Sequence, residues 1–212
     1  MKITVWSDFA CPFCYMGFTV LERVAAESEG PRPEIEFRAY ELNPDAPAVP
    51  VESMKQHFMS DHGITEAEAE TQMARITKMA SRLGLDYNLE GVKVCSTFDA
   101  HRLIKYAQAE AAPEAVAALE AALYKANFID NLLLSDREVL ADAAATAGFD
   151  REAVAGMLAS GRYADAVRAD EKEADGLDLE YIPYLRFSDG HVLQGVLSPG
   201  AVRKALAADA AE

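Results

Sequence analysis

The sequence is poor in cysteine and in positive charge, and each shortage excludes a class of protein. Among 212 residues there are only three cysteines, too few for the disulfide scaffold of a small secreted domain. The 20 Lys and Arg residues stand against 35 Asp and Glu, which gives a net charge of −15. Such a surface repels the phosphates of a nucleic acid and the anionic lipids of a membrane. We therefore expect neither a nucleic-acid partner nor a membrane partner.

Long apolar runs are also absent. No segment approaches the roughly 20 apolar residues of a transmembrane helix. Residues 1–8 lack the apolar stretch of about 7–15 residues that a signal peptide needs. We therefore expect a soluble, cytoplasmic protein. In that reducing compartment, two neighbouring cysteines are more often catalytic or metal-binding than a permanent disulfide.

Two neighbouring cysteines are present in the segment Cys11-Pro12-Phe13-Cys14, the CPFC motif, where a predicted strand meets a predicted helix. Residues 3–6 are β-prone, and Pro12 suits the first helical position because its missing N–H would have no partner there. Cys11 then begins the helix, where unpaired N–H groups and the helix dipole stabilise a thiolate. Cys14 follows one turn later, close enough to attack a mixed disulfide on Cys11. Phe13 is an apolar spacer that could pack on a substrate chain.

The remaining chain has the pattern of one mixed sheet interrupted by helices. A second strand is predicted at residues 35–40, and a hairpin followed by a helix is predicted after residue 180. From about residue 51 to residue 175 the periodicity is almost wholly helical. Within that segment Thr65 and Ser135, each followed three residues later by Glu, predict helix starts.

These elements predict an α/β, thioredoxin-like fold with a large all-helical domain inserted between the second and third strands of the sheet. Residues 1–50 and 176–212 form the thioredoxin-like domain in this interpretation. Residues 51–175 form the inserted helical domain, and they are numerous enough for a subdomain of their own.

A second feature is the proline at the start of the first hairpin strand, residues 181–187. Pro183 cannot donate a hydrogen bond to the sheet, so a proline at this position indicates a special structural role. In the predicted topology the Ile182–Pro183 bond faces the CPFC motif. A cis peptide bond there would leave backbone groups free to pair with an extended substrate. The alternative is a trans proline that only begins an edge strand.

Three segments resemble the DsbA family of oxidoreductases, especially its FrnE-like branch. They are the motif Ser7-Asp8-x-x-Cys11-Pro12-Phe13-Cys14-Tyr15-x-Gly17, the segment Ser96-Thr97-Phe98-Asp99-Ala100-His101-Arg102-Leu103 and the closing Gln194-Gly195-x-x-Ser198-Pro199. The resemblance covers nearly the whole chain. It implies thiol–disulfide oxidoreductase or isomerase activity, with Cys11 as the attacking cysteine, Cys14 as the resolving cysteine and Pro183 as a cis-proline.

The expected substrate contacts and partners follow from the same interpretation. The residues expected to contact the substrate are Pro12, Phe13, Ile182 and Pro183. No metal is expected, and no cofactor beyond the redox-active Cys11–Cys14 disulfide, although glutathione stays open as a small-molecule partner. The implied partners are disulfide or dithiol substrates and an unidentified thiol reductant or oxidant.

Two other functions stay open. Relatives with the same fold, such as 2-hydroxychromene-2-carboxylate isomerase and the kappa-class glutathione transferases, use one active-site Ser or Cys with bound glutathione. Retention of both Cys11 and Cys14 argues against that chemistry, because an isomerase has no use for a resolving thiol. A non-catalytic metal-binding module is the third hypothesis, but a structural zinc site needs four ligands. The only other soft ligands are Cys95, His57, His62, His101 and His191.

Three further positions bear on the site. Cys95 is interpreted as a small buried hydrophobe, with a role as third redox cysteine as the alternative. Asp8, three residues before Cys11, opposes ionisation of that thiol if the two lie close. His101 and Arg102 are interpreted as packing and surface groups rather than catalysts.

Overall fold

The structure, a computed structural model, describes residues 1–28 and 31–209. It is an α/β thioredoxin-like fold, as the sequence predicts. The strands are β1 Lys2–Ser7, β2 Glu34–Ala39, β3 Tyr184–Phe187 and β4 Val192–Gln194. The helices that flank or follow them are α1 Pro12–Glu27 and α9 Pro199–Asp209. The helices of the insertion are α2 Met54–His62, α3 Glu66–Ser81, α4 Phe98–Glu110, α5 Pro113–Phe128, α6 Arg137–Thr146, α7 Arg151–Ala159 and α8 Ala164–Ala174.

The described sheet has four strands in the order β2-β1-β3-β4. β1 runs parallel to β2 and antiparallel to β3, and β4 is antiparallel to β3. β1 is covered on both faces, and its residues from Ile3 to Ser7 are all buried. Ile3 and Val5 pack into the main core with α1, whereas Trp6 packs on the other face against Ala174 and Tyr184. The end of β1 therefore delivers the CPFC motif to a position enclosed by protein.

The hairpin strands are shorter than the sequence predicts. β3 begins at Tyr184 rather than at residue 181. The reason is that the N–H groups of Glu180 and Tyr181 donate to the side-chain oxygen of Gln194, at 2.9 and 3.0 Å, instead of to a strand. β4 ends at Gln194, and the next residue, Gly195, has a positive φ of 73°.

The inserted helices form the connection between β2 and β3. The sequence predicts the starts of two of them. Thr65 begins α3 with a capping box, as predicted. The prediction for Ser135 is wrong, because Asp136 is the N-cap of α6 and accepts from the Glu138 N–H at 2.9 Å. The Ser135 hydroxyl donates instead to the Ala48 carbonyl at 2.6 Å. The domain limits at residues 50 and 175 stay a prediction.

No helix in the described part of the chain is both long and apolar enough to cross a membrane.

Candidate active site

The two cysteines of the CPFC motif lie at the start of α1. Cys11 is the N-cap in extended backbone conformation, and Pro12 is the first helical residue. The Cys11 N–H donates to the Asp8 carbonyl at 3.1 Å, and the Cys14 N–H donates to the Cys11 carbonyl at 3.1 Å. Both thiols are free, and the residues are 4% and 1% exposed, respectively. The motif thus presents a near pair of thiols at a helix N-terminus, with the second thiol more deeply buried.

The start of β3 lies against this pair. The Ile182–Pro183 peptide bond is cis, as predicted, and the Cys11 Sγ lies 3.9 Å from the Ile182 carbonyl oxygen. Gly17 makes this approach of the chain to α1 sterically feasible. A Cβ atom at residue 17 would lie 2.6 Å from Pro183 Cγ and 3.3 Å from Leu197 Cδ1. The structure therefore brings Ile182 and Pro183 to the cysteines, and it adds Gly17 as a residue on which that contact depends.

A cavity of about 480 Å³ opens beside Cys11, between the thioredoxin-like unit and the inserted helices. Its wall on the side of the motif is formed by Cys11, Pro12 and Phe13. The apolar residues facing them are Leu42, Ala46, Met54, Phe58, Val92, Val94, Cys95 and Leu134, and the polar ones include His57, Asp61, His62 and Lys93. A mostly apolar cavity with a few polar groups is the usual form of a binding site.

Asp8 is the polar centre of the site. Its carboxylate is 1% exposed and accepts four hydrogen bonds from three separate segments. The donors are the Ala10 N–H at 3.2 Å, the Leu42 N–H at 2.8 Å, the Thr97 hydroxyl at 2.7 Å and His101 Nε2 at 3.2 Å. Burial acts to raise the pKa of this carboxyl. The charge and hydrogen bonds of these donors outweigh burial, so the pKa is lowered.

The buried position of Cys14 controls its ionisation. Burial raises the pKa of the Cys14 thiol well above its ordinary value, and the neighbouring Cys11 raises it further. The Asp8 N–H lowers this pKa, and the negative charge of the Asp8 carboxylate raises it. The Asp8 carboxylate thus opposes thiolate formation at Cys14, and the expectation that it does so at Cys11 stays a prediction. At neutral pH Cys14 keeps its proton.

Two side chains of the inserted domain hold the backbone of the motif, and the sequence analysis missed both. The Tyr87 hydroxyl donates to the Pro12 carbonyl at 2.8 Å. Asn127 Nδ2 donates to the Phe9 carbonyl at 2.9 Å. They lie 75 and 118 residues from their partners, respectively, so no local pattern could have identified them.

His101 and Arg102 are both buried, at 4% and 3% exposure, so the expectation of packing groups is confirmed and that of surface groups is wrong. His101 contacts Asp8, as described above. Arg102 donates to the carbonyls of Met157 and Ser160, at 3.2 and 2.5 Å. These carbonyls end α7, where a cation is favoured by the helix dipole. Arg102 therefore joins α4 to α7, and His101 joins α4 to the active site.

The remaining candidate residues are a cysteine and three histidines. Cys95 is buried, at 7% exposure, and lines the same cavity as Cys11. His57 pairs with Glu52, and the exposed His62 lies 3.4 Å from the carboxylate of its neighbour Asp61. His191 lies in the hairpin turn, away from the cavity lining. Within the described residues, no group of three or more His, Cys, Asp and Glu side chains could hold a metal ion.

Residues 2–207 match the model of the DSBA-like thioredoxin domain family. The chain belongs to this family. The solved structure of a probable DsbA oxidoreductase from Streptomyces coelicolor is 31% identical in sequence and superposes with a TM-score of 0.90. That match covers 100% of this chain and 91% of the other. The protein is therefore a DsbA-like oxidoreductase by family, with a near pair of cysteines at the start of α1.

Two more distant solved structures share the fold of this chain. A 2-hydroxychromene-2-carboxylate isomerase is 15% identical, with a TM-score of 0.73, over 98% of this chain and 95% of the other. The cytosolic disulfide reductase DsbM from Pseudomonas aeruginosa is 18% identical, with a TM-score of 0.66, over 100% and 99%, respectively. At these identities the likeness shows the fold alone. No curated protein matches the sequence.

Proposed function

We propose that the protein is a cytoplasmic thiol–disulfide oxidoreductase of the FrnE-like branch, with Cys11 as the attacking and Cys14 as the resolving cysteine. The observation that carries this proposal is the asymmetry of the pair. Cys11 lines an open cavity at the helix N-terminus, while Cys14 is buried behind it. Cys11 thus faces the cavity, whereas burial raises the pKa of Cys14 and favours its thiol form.

The reaction proceeds in two exchanges. The Cys11 thiolate attacks one sulfur of a substrate disulfide, the substrate S–S bond breaks, and one substrate thiolate leaves. Cys14 then attacks the Cys11 sulfur of the mixed disulfide, which closes the Cys11–Cys14 bond and releases the second substrate thiolate together with the Cys14 proton. The substrate gains two electrons and the protein loses two. The reverse sequence oxidises a substrate dithiol.

The cavity and the start of β3 form the proposed substrate site. We propose that a substrate sulfur reaches Cys11 through the cavity lined by Phe13, close to the Ile182 carbonyl oxygen, which lies 3.9 Å from the Cys11 Sγ. The apolar wall suits an apolar side chain next to the substrate cysteine. The DsbM structure was also solved with GSH. We propose glutathione as a thiol that reduces the Cys11–Cys14 disulfide here, with the cationic Lys93 near its carboxylates.

The experiment is a redox titration in glutathione buffers, with alkylation and mass spectrometry to count free thiols at each potential. We expect one two-electron transition that requires both Cys11 and Cys14. Its midpoint should lie between those of strong reductants, about −270 mV, and strong oxidants, about −120 mV. The matched control is Cys95→Ser, which should titrate like the unmodified protein. If Cys11 and Cys14 never form a disulfide, the oxidoreductase function is refuted.

A further inference from the structure

A cluster of three charged side chains lies behind the wall of the active-site cavity. Arg168 Nη1 donates to Glu41 Oε2 at 2.7 Å and to Glu171 Oε2 at 2.6 Å, so one guanidinium nitrogen joins the two carboxyl groups. Glu41 follows β2, whereas Arg168 and Glu171 lie on α8. The Glu41 side chain is only 2% exposed. Two ionised acids against one arginine would therefore leave a net negative charge that water screens poorly.

The remaining oxygens of these two acids indicate a shared proton. Glu41 Oε1 and Glu171 Oε1 are both buried, and neither has a hydrogen-bond partner among the described residues. Such oxygens are costly to bury, and one proton held between two neighbouring carboxyl groups satisfies both. Burial raises the pKa of Glu41 to about 7, together with the hydrogen bond and charge of Glu171. Arg168 of α8 and His101 of α4 oppose this rise.

The residue next to Glu41 forms part of the active site. The Leu42 N–H donates to Asp8 Oδ2 at 2.8 Å, and Leu42 lines the cavity beside Cys11. Glu41 and Leu42 are consecutive, so Glu41 cannot leave α8 without disturbing the bond between Leu42 and Asp8. The cluster thus controls the position of the cavity wall at Leu42.

The two sides of the cluster are not equally fixed. Asp170, next to Glu171 on α8, accepts from the Ala39 N–H at 3.0 Å, which holds the helix against β2. The Arg168 guanidinium lies 4.3 Å from the centre of the Phe98 ring on α4. By contrast, residues 40–53 contain no helix or strand. The side that moves when the cluster changes charge is therefore the segment after β2.

We propose that Glu41, Glu171 and Arg168 are a pH-sensitive positioning group for the cavity wall at Leu42. While the two acids share one proton, Glu41 stays against α8 and Leu42 stays bonded to Asp8. As pH rises through neutrality the proton leaves to solvent, and the two carboxylates repel each other. The segment after β2 then moves away from α8, and the cavity wall opens. No electron is transferred.

The test follows hydrogen exchange of the Leu42 amide by NMR between pH 6 and pH 8. Protection factors are compared, because they remove the intrinsic pH dependence of exchange. An acid with a pKa of about 7 in the closed wall and near 4.5 in the open one weakens closure about tenfold over this range. We expect that fall in the unmodified protein. Glu41→Gln keeps a donor toward Glu171 without the charge, so its protection should change less than about twofold.

Two further variants separate the shared proton from the burial of Glu41. Glu171→Gln should reduce the fall without abolishing it, because burial still acts on Glu41. Glu173→Gln is the matched control, since Glu173 is another acid of α8 and pairs with Arg186 at 3.0 Å instead. It should keep the full fall. A melting curve of each variant at pH 6 checks that it is folded.

A second measurement connects the wall to Cys11. Iodoacetamide alkylates Cys11, and dividing the rate for the unmodified protein by the rate for Glu41→Gln cancels the pH dependence that both share. This ratio should rise between pH 6 and pH 8 as the wall opens. A constant ratio would show that the wall does not control access to the thiol.

The inference concerns the site of the proposed function, but amide exchange needs neither a substrate nor a disulfide. A failed redox titration would therefore refute the proposed function and leave this inference standing. Leu42 protection that stays constant from pH 6 to pH 8 in the unmodified protein would overturn the inference. An equal fall in folded Glu41→Gln would also overturn it. An undiminished fall in Glu171→Gln would exclude the shared proton.

Discussion

Replacing Gly17 with Ala should displace the Ile182–Pro183 segment from the cysteines while leaving the fold intact. The new Cβ atom would lie 2.6 Å from Pro183 Cγ, whereas carbon atoms in contact lie about 3.5 Å apart. The difference, 3.5 − 2.6 ≈ 0.9 Å, is the shift required of Pro183. Leu197 Cδ1, at 3.3 Å, blocks part of the space into which α1 could adjust.

The expected loss of activity is much larger than the loss of stability. Overpacking costs roughly 1–3 kcal/mol, and Ala in place of Gly inside a helix returns about 1 kcal/mol, so the net cost is roughly 0–2 kcal/mol. By contrast, a misplacement of about 1 Å at a reacting centre can lower a rate about 100-fold. We therefore expect Gly17→Ala to slow disulfide exchange roughly 10- to 100-fold with a small change in the free energy of unfolding.

The assay compares the rate of exchange with a model disulfide and the urea unfolding curve of the same variant. Gly156→Ala is the matched control, because Gly156 also lies inside a helix but nothing lies within 4 Å of its added Cβ. It should gain up to about 1 kcal/mol of stability and keep full activity. Full exchange activity in folded Gly17→Ala would show that the position of Pro183 does not control access to Cys11.

Three further predictions concern the polar contacts around the motif. Tyr87→Phe removes the donor to the Pro12 carbonyl and should lower the free energy of unfolding by about 0.5–1.5 kcal/mol in urea titrations. Thr97→Val removes a donor to the ionised Asp8 and should cost about 1.5–3 kcal/mol at pH 7. Since the pKa of folded Asp8 is lowered, its contribution is present above the pKa of the unfolded chain, near 4, and is lost as pH falls through the folded value. Burial raises the pKa of Glu120, on α5, to about 8, so stability should fall as pH rises from about 4.5 to 8, and Glu120→Gln should make that fall smaller in melting curves.

Each of these three has a result that contradicts it. If Tyr87→Phe unfolds at the same urea concentration as the unmodified protein, water replaces the Tyr87 hydroxyl as the donor to the Pro12 carbonyl. A Thr97→Val penalty that persists undiminished well below pH 3 would show that the hydrogen bond does not depend on the Asp8 charge. A melting temperature that does not change between pH 5 and pH 8 in the unmodified protein would show that Glu120 is not buried as an acid.

Local signals in the sequence were enough for the main elements near the cysteines. The start of α1 is determined by residues that are neighbours in sequence. A proline at the first helical position and an N-cap residue both act within one helical turn. The strand before it carries Ile3 and Val5 on one face and Trp6 on the other, so both faces have an apolar side chain to bury. The order of the remaining elements then leaves a thioredoxin-like sheet as the arrangement that buries them.

Weaker local signals were misread where a nearby residue competed. Ser135 and Asp136 are both good N-cap residues. Tertiary structure decides between them, because the Ser135 hydroxyl donates to the Ala48 carbonyl and Asp136 caps α6. Similarly, polar residues such as His101 and Arg102 in the first turns of a helix are typical of a surface. Here one residue contacts Asp8 and the other the end of α7, neither of which is near it in sequence.

The sequence by itself determined which two cysteines lie together at the start of α1, since the CPFC motif and its helix form within a few neighbouring residues. Only the tertiary structure decided what surrounds them. Contacts of Tyr87 and Asn127 with the site depend on packing the inserted helices against the sheet. The preference of a segment for helix or strand depends on nearby residues and can be predicted from the sequence. The partner that a side chain contacts a hundred residues away depends on how the whole core packs.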